Sequence, residues 1–456
     1  MEAATKEKYN DIKVWFNNLF ELSESKLNGQ KNYPIHAIRT TAIKHLQQID
    51  FPTRSVEEWK YTSVTPLLQH DYKEAIPYKL SEKKLHYFKY KKLDTHLLVF
   101  VNGIFNENLS HIEHLPKGVE IMNMGSALTD KRFKHTAYVY LSKLATTEQN
   151  AFIVINTAFA KNGIFVYVSP HTVVEKPIHL LHIGSAKKDP LMITPQCLIL
   201  AEDNSELSLI ETYHGSSDNS GIYFTNAVNQ FIAGKNAHIK HYRLQNESET
   251  AFHINNTQII QERDSVYSSY AFDLGSNLVR NNLSSQLNGQ GTSTNLHGVY
   301  LAHNKQHIDN HTFIDHAHAH CNSNELYKGI ITDNAKGVFN GKIIVRQDAQ
   351  KTNAFQQNNN LVLSKTATMD SKPQLEIFAD DVKCSHGATI GQLEEEAVYY
   401  LRSRGLSNEQ AQSILQHAFL KEVVDRIPLS PIRKSIDKLI VEKLTKSTAN
   451  ALNNLN

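Results

Sequence analysis

Three observations predict a mainly β fold, a β-solenoid bounded by helical segments. Short β-branched and apolar runs fill the chain from about Leu97 to about Ile377, a turn signature returns within them about every thirty residues, and helical periodicity is confined to the two ends. In the first segment Val14, Trp15, Phe16, Leu19 and Phe20 share one helical face, and Ile35, Ile38, Ala42, Ile43, Leu46 and Ile49 share another after Pro34. The helical pattern breaks at Phe51-Pro52, and the mixed charged and aromatic stretch from Pro52 to Thr62 reads as an ordered loop.

Leu98-Val99-Phe100-Val101, Phe152-Ile153-Val154-Ile155, Phe165-Val166-Tyr167-Val168 and Ile178-His179-Leu180-Leu181 read as strands. Helical stretches long enough for βαβ crossovers are nearly absent between them, which argues against a doubly wound sheet. Turns at Asn204, Asn236 and Asp264 lie 32 and 28 residues apart, and those at Asn304 and Asn334 lie 30 apart. Such a period suits coils of two or three strands that bury their apolar faces on one another, although a β-sandwich or jelly roll would give a similar strand texture.

Beyond His386 the pattern is helical again. Glu394 to Arg404 forms one helix stopped by Gly405, and Ser407 with Gln410 forms a capping box that opens a second. On that second helix Ile414, Leu415, Ala418, Phe419 and Val423 are expected on one apolar face. Ser430-Pro431 opens a third helix with Ile432, Ile436, Leu439 and Ile440 on one side, and the tail from Thr445 is expected to fray. The predicted division is a helical segment over 1–95, a β-helix core over 96–385 and a helical segment over 386–456.

The 48 basic and 46 acidic residues nearly cancel, so no global field favours nucleic acid or an anionic membrane surface. The opening residues lack the order of a signal peptide and no apolar run reaches a membrane-spanning length, so a cytoplasmic location is expected. Three cysteines, Cys197, Cys321 and Cys384, are too few for a disulfide framework and are expected to be thiols. Neither a Walker-type phosphate loop nor a strand-linked Gly-x-Gly-x-x-Gly is present, so no nucleotide is expected on this chain. Serine-hydrolase and zincin signatures are absent too.

Two clusters carry chemistry. If the run His316-Ala317-His318-Ala319-His320 is extended, alternation puts three imidazoles on one face at a spacing of about 6.6–6.8 Å, a possible metal face; an exposed strand that merely carries histidines is the plainer reading. Cys384 and His386, two apart, share a strand face with Asp380, and thiolate and imidazole suit iron-sulfur or zinc. Two ligands are about two short of a cluster, so completion requires a partner chain, while a buried cysteine beside a backbone-bonded histidine is the plainer alternative here. Adjacent Asp380 and Asp381 leave open a β-helix hydrolase or lyase acting on carbohydrate, although alternation would send them to opposite faces. A histidine-based metal-binding protein is a further option, separable by its stoichiometric zinc.

The stretch from Lys372 to Gly391, centred on Asp380-Asp381-Val382-Lys383-Cys384-Ser385-His386-Gly387-Ala388-Thr389, resembles the signature of the SufB/SufD family of iron-sulfur cluster assembly scaffolds, on its SufD side. Asn324 to Gly329, Val338 to Ile343, Thr352 to Leu361, Tyr400 to Gly405 and Glu57 to Thr62 also resemble that family. The resemblance implies a right-handed parallel β-helix between helical ends and a non-catalytic scaffold in the SufBCD complex. By the same resemblance, His386 with Cys384 beside it serves a transient cluster at the SufB interface, SufB supplying the main cysteine. It further implies a SufC ATPase held by the C-terminal helices, for which Leu415 and Phe419 are the candidate contacts. Reduced flavin (FADH2) in the complex and a homodimer of the isolated chain complete the expectations.

Overall fold

The computed structural model describes residues 2–26, 33–90, 92–161, 163–216 and 221–453. Two long sheets, one of 11 strands and one of 10, face each other across a common interior. The first runs in the order Thr368–Ile377, Lys336–Val345, His307–His316, Leu278–Leu287, Phe252–Gln261, Tyr223–Ala233, Gln196–Ala201, Ile164–Val168 and Val119–Asn123. The second runs Lys383–Gly391, Asn353–Val362, Asn322–Ile331, Ser293–Ala302, Val266–Asp273, His238–Asn246, Glu206–Gly215, Ile178–Gly184, His96–Val101 and Ile104–Phe105. The chain alternates between the sheets, so each coil lays one strand on each. The architecture is a parallel β-solenoid of about seven turns flanked by helices.

The turn signature has a conformational cause. Asn204, Asn236, Asp264, Gly291, His320 and Lys351 all adopt positive φ at successive corners, 32, 28, 27, 29 and 31 residues apart. At this point the chain turns onto the second sheet through a left-handed residue, which Asn, Asp and Gly tolerate best. The backbone N–H of the corner residue donates to the next coil: Asn204 to the Lys235 carbonyl (2.8 Å), Asn236 to Arg263 (2.9 Å), His320 to Gln350 (2.9 Å). On the opposite corner the left-handed residues are Asn304 and Asp333, one position before the expected Asn334.

The expected strand Phe152-Ile153-Val154-Ile155 is instead part of a helix, Ala151–Phe159, capped by the Asn150 side chain. All nine of its residues are buried, because it is wedged between the solenoid and the N-terminal helices Glu2–Ser25 and Pro34–Leu46. A short run that is apolar all round has no periodicity to separate helix from strand. Phe16, Phe20, Ile38, Ala42, Ile43 and Leu46 pack around it as expected, and Phe224, Val228, Phe252 and Ile254 complete this core from the first sheet. Val14, expected on the apolar face, is exposed instead.

The C-terminal helices Asn408–Val424 and Ser430–Asn453 lie against the outer face of the second sheet. Leu420, Val423, Val424, Ile432, Ile436 and Ile440 pack on Tyr242, Tyr270, Val299, Leu326 and Ile330. The capping box at Ser407 and Gln410 and the left-handed Gly405 are as predicted. The buried face of the second helix is rotated from the expected one: Ala411, Gln416, Leu420, Val423 and Val424 are buried, Leu415 and Phe419 are half-buried, and Ile414 and Ala418 are exposed. Of the five residues expected on that face only Val423 is buried, and the neighbouring Leu420 and Val424 take the contact with the sheet. The tail beyond Thr445 is helical to Asn453, and residues 454–456 lie outside the described residues.

Inside the solenoid, buried charges are paired coil to coil. Arg243 Nη2 donates to Asp273 at 2.8 Å, and Asn281 Nδ2 donates to the other carboxylate oxygen at 2.9 Å. Replacing Arg243 with Leu strands the Asp273 carboxylate in the interior and is expected to cost about 3–5 kcal/mol of unfolding free energy, read by denaturant titration.

Candidate functional site

The two ends of the solenoid differ. At the N-terminal end each sheet finishes on a short antiparallel strand, Val119–Asn123 of 5 residues or Ile104–Phe105 of 2, so little regular strand edge is presented there. At the other end Thr368–Ile377 and Lys383–Gly391 each pair on one side only, with Lys336–Val345 and Asn353–Val362. Their outer edges offer a row of unsatisfied N–H and C=O groups, the state that promotes pairing with another chain. This last coil is also apolar where it is most open, with Phe378 63 %, Ile390 55 % and Ile377 42 % exposed.

Cys384 and His386 stand on this last strand. In register Cys384 pairs with Ala354 and His386 with Gln356, so both lie on the strand face that continues the solenoid interior. Cys384 is half-buried and packs on the inner core, and burial pushes its thiol up, only partly offset by a hydrogen bond from the Ala354 backbone. His386 is exposed. Asp380 does not join them: it lies with Asp381 in the corner before the strand, where Asp381 pairs with Lys351. The carboxylate pair expected of a carbohydrate-active site is therefore two exposed corner residues, one of them held in an ion pair.

The histidine run behaves differently from the extended expectation. The strand ends at His316, which is buried with its Nε2 2.9 Å from Ser323 Oγ, and burial lowers its imidazole to about 4. His320 occupies the left-handed corner position and is exposed, so the three imidazoles share no face. Among the described residues no group of three His, Cys, Asp or Glu side chains is placed to hold a metal ion.

The interior carries a polar column that periodicity alone did not reveal. Glu211 accepts from Asn229 Nδ2 (3.0 Å) and Tyr213 Oη (2.5 Å), and His241 Nε2 lies 3.1 Å from it. Burial would raise this carboxyl, but His241 and Tyr213 outweigh it and hold it at about 2. Glu247 with His253 (2.7 Å) and Asp273 with Arg243 continue the column. Farther along, Gln356 Nε2 donates to Glu325 Oε2 at 2.7 Å, directly behind the last strand. These residues become legible only once the register of each coil is known.

Against the first sheet lies a groove of about 600 Å³ lined by Glu57, Trp59, Arg280, His311, Lys342 and Lys372. A flavin does not fit it. The Trp59 ring is already covered by the Arg280 guanidinium at 4.2 Å, and Arg280, Lys342 and Lys372 are paired with Asp309, Glu376 and Glu57, leaving no cation for a pyrophosphate.

Comparison with known proteins matches the N-terminal region of SufBD proteins over residues 10–180, and the SufBD core domain of the SUF iron-sulfur cluster assembly system over residues 182–419. The chain belongs to the SufBD family. It is 31 % identical to the iron-sulfur cluster assembly protein SufD of Escherichia coli, over 95 % of this chain and 97 % of that protein. It is 35 % identical to a SufBD family protein of Synechocystis over 90 % of this chain and 91 % of that one, and 27 % identical to Bacillus subtilis SufD over 73 % and 77 %. The matched SufBD core includes the open last coil with Cys384 and His386.

Cys197 and Cys321 are buried, so Cys384 is the thiol in reach of solvent. Iodoacetamide at pH 7.5 is expected to add one carbamidomethyl group to the native chain, at Cys384 and slowly because the thiol is raised, and three after unfolding, as read by intact mass.

Proposed function

We propose that this chain is a non-catalytic scaffold of SUF cluster assembly that pairs through its last coil with the corresponding coil of a SufB-type chain. The observation that carries this reading is the juxtaposition of two unpaired strand edges, exposed Phe378 and Ile390, and the Cys384/His386 pair on one open end. Strand addition would satisfy the edges and place further ligands beside a thiol and an imidazole that cannot hold a cluster alone. The iron-sulfur cluster is cargo in this reading, assembled at the joint and passed on. The same edge can meet a second copy of this chain, which accounts for a homodimer when the partner is lacking.

The C-terminal helices are the proposed seat of the SufC ATPase. Their sheet-facing side is occupied, so contact falls to the other side, with Ile414 exposed and Leu415 and Phe419 half-buried. Phe419 has a second duty: Lys328 Nζ donates to its carbonyl at 3.0 Å and lies 4.6 Å from its ring. Leu415 is thus the cleaner probe. No helix among the described residues is long and apolar enough to cross a membrane. The cytoplasm as working compartment belongs to the same proposal.

In co-expression with the SufB and SufC partners, His386→Ala is expected to assemble the complex but lose cluster formation; full cluster yield strips His386 of the role. Ile390→Lys is expected to weaken pairing with the SufB-type chain by about 30-fold or more, the cost of a central interface anchor, as read by calorimetric titration. Leu415→Asp is expected to abolish co-purification of SufC while the solenoid pair survives.

A further inference from the structure

Among the described residues, the buried carboxylates Glu211, Glu247, Asp273, Asp309 and Asp315 each have a histidine or arginine partner within 3.1 Å. Glu325, 1 % exposed, has no such partner. Leu296 precedes it in the stack, Gln356 follows it, Thr312 faces it from the other sheet and Tyr327 lies two positions along its own strand; none carries a charge at neutral pH. Burial without a cation pushes the carboxyl up to about 7. An interior that pairs its other buried acids leaves this one bound to an amide.

The position of Glu325 gives the amide a direction. Glu325, Gln356 and His386 occupy the same register point on three successive coils. Coils stack about 4.8 Å apart, so the carboxyl lies roughly 10 Å behind His386 with Gln356 between them. The Gln356 Nε2 donates to Glu325 Oε2 at 2.7 Å, which commits its N–H groups inward and leaves Oε1 buried with no partner. The room for this side chain is provided by Gly341, where an added Cβ would stand 2.1 Å from Gln356 Nε2. A buried amide oxygen without a donor costs about 1–3 kcal/mol, and the next side chain in the stack with an N–H to give is the His386 imidazole.

We propose that Glu325, acting through the Gln356 amide, is a positioning device for His386: the carboxyl fixes the amide orientation, and the amide oxygen accepts the N–H of one ring nitrogen, so the other presents its lone pair outward at the joint. This rests on the reading of His386 as a ligand of the cargo cluster. Outer partners of this kind set the tautomer and ring orientation of ligating histidines. Glu325 is a positioning residue, since it touches neither cluster nor partner.

The test uses the isolated full-length chain with ¹⁵N-labelled histidine, the His386 ring signals being assigned by their loss in His386→Ala. One neutral tautomer is expected at pH 8 in the unsubstituted chain and a mixed population in Glu325→Leu and Gln356→Leu, with Glu325→Gln, whose carbonyl still accepts from Gln356, nearer the unsubstituted chain. An unchanged tautomer ratio in both Leu variants, at undiminished thermal stability, overturns the proposal. In the assembled complex the Leu variants are expected to form clusters about tenfold more slowly, the usual loss for such partners, and full rates in both would overturn it equally. The two readings fail separately: full cluster formation in His386→Ala refutes the ligand role, whereas a tautomer insensitive to Glu325 and Gln356 refutes only the positioning.

Discussion

Each coil of this solenoid depends on the next for its backbone hydrogen bonds. A parallel strand satisfies half of its N–H and C=O groups with the coil before it and half with the coil after it, so a finite stack must solve the problem of its ends. At the N-terminal end the sheets taper into short antiparallel strands of 5 and 2 residues, which leaves little regular edge. The other end carries two strands paired on one side only, and the proposed function grows from that asymmetry.

The open coil also explains why the chemistry sits where it does. A thiol and an imidazole in the middle of the stack would be sealed, as Cys197 and His182 are. On the last strand the same inward-facing positions become a surface, because no further coil covers them. Cys384 remains in contact with the core while His386 is exposed, a gradient across two residues that follows directly from ending the stack there. Behind them the interior stays polar, so that Gln356 and Glu325 reach toward the site from within the same register column.

Much of the architecture was legible in the sequence because corners impose local rules. Asn204, Asn236 and Asp264 occupy left-handed turns, and residues that tolerate that conformation leave a visible period. The same rule explains why the histidine run presents no single face: His320 fills a corner usually given to Asn or Gly, so the run bends there. The helix Ala151–Phe159 was hidden because burial on all sides erases periodicity. Spacing placed Cys384 and His386 on one strand face and the family signature singled them out, whereas Glu325 could not be found that way, since its relation to His386 is set by two strand registers rather than by sequence distance.

The central claim is that the last coil is an incomplete edge finished by a partner, and hydrogen exchange of the edge amides tests it most directly. In the isolated chain at low concentration, outward-facing amides of Thr368–Ile377 and Lys383–Gly391 should exchange within seconds, while those of the adjacent Lys336–Val345 and Asn353–Val362 resist. With the SufB-type partner bound, the edge amides should become as protected as the interior strands. Edge amides that exchange equally fast in the complex would contradict the account.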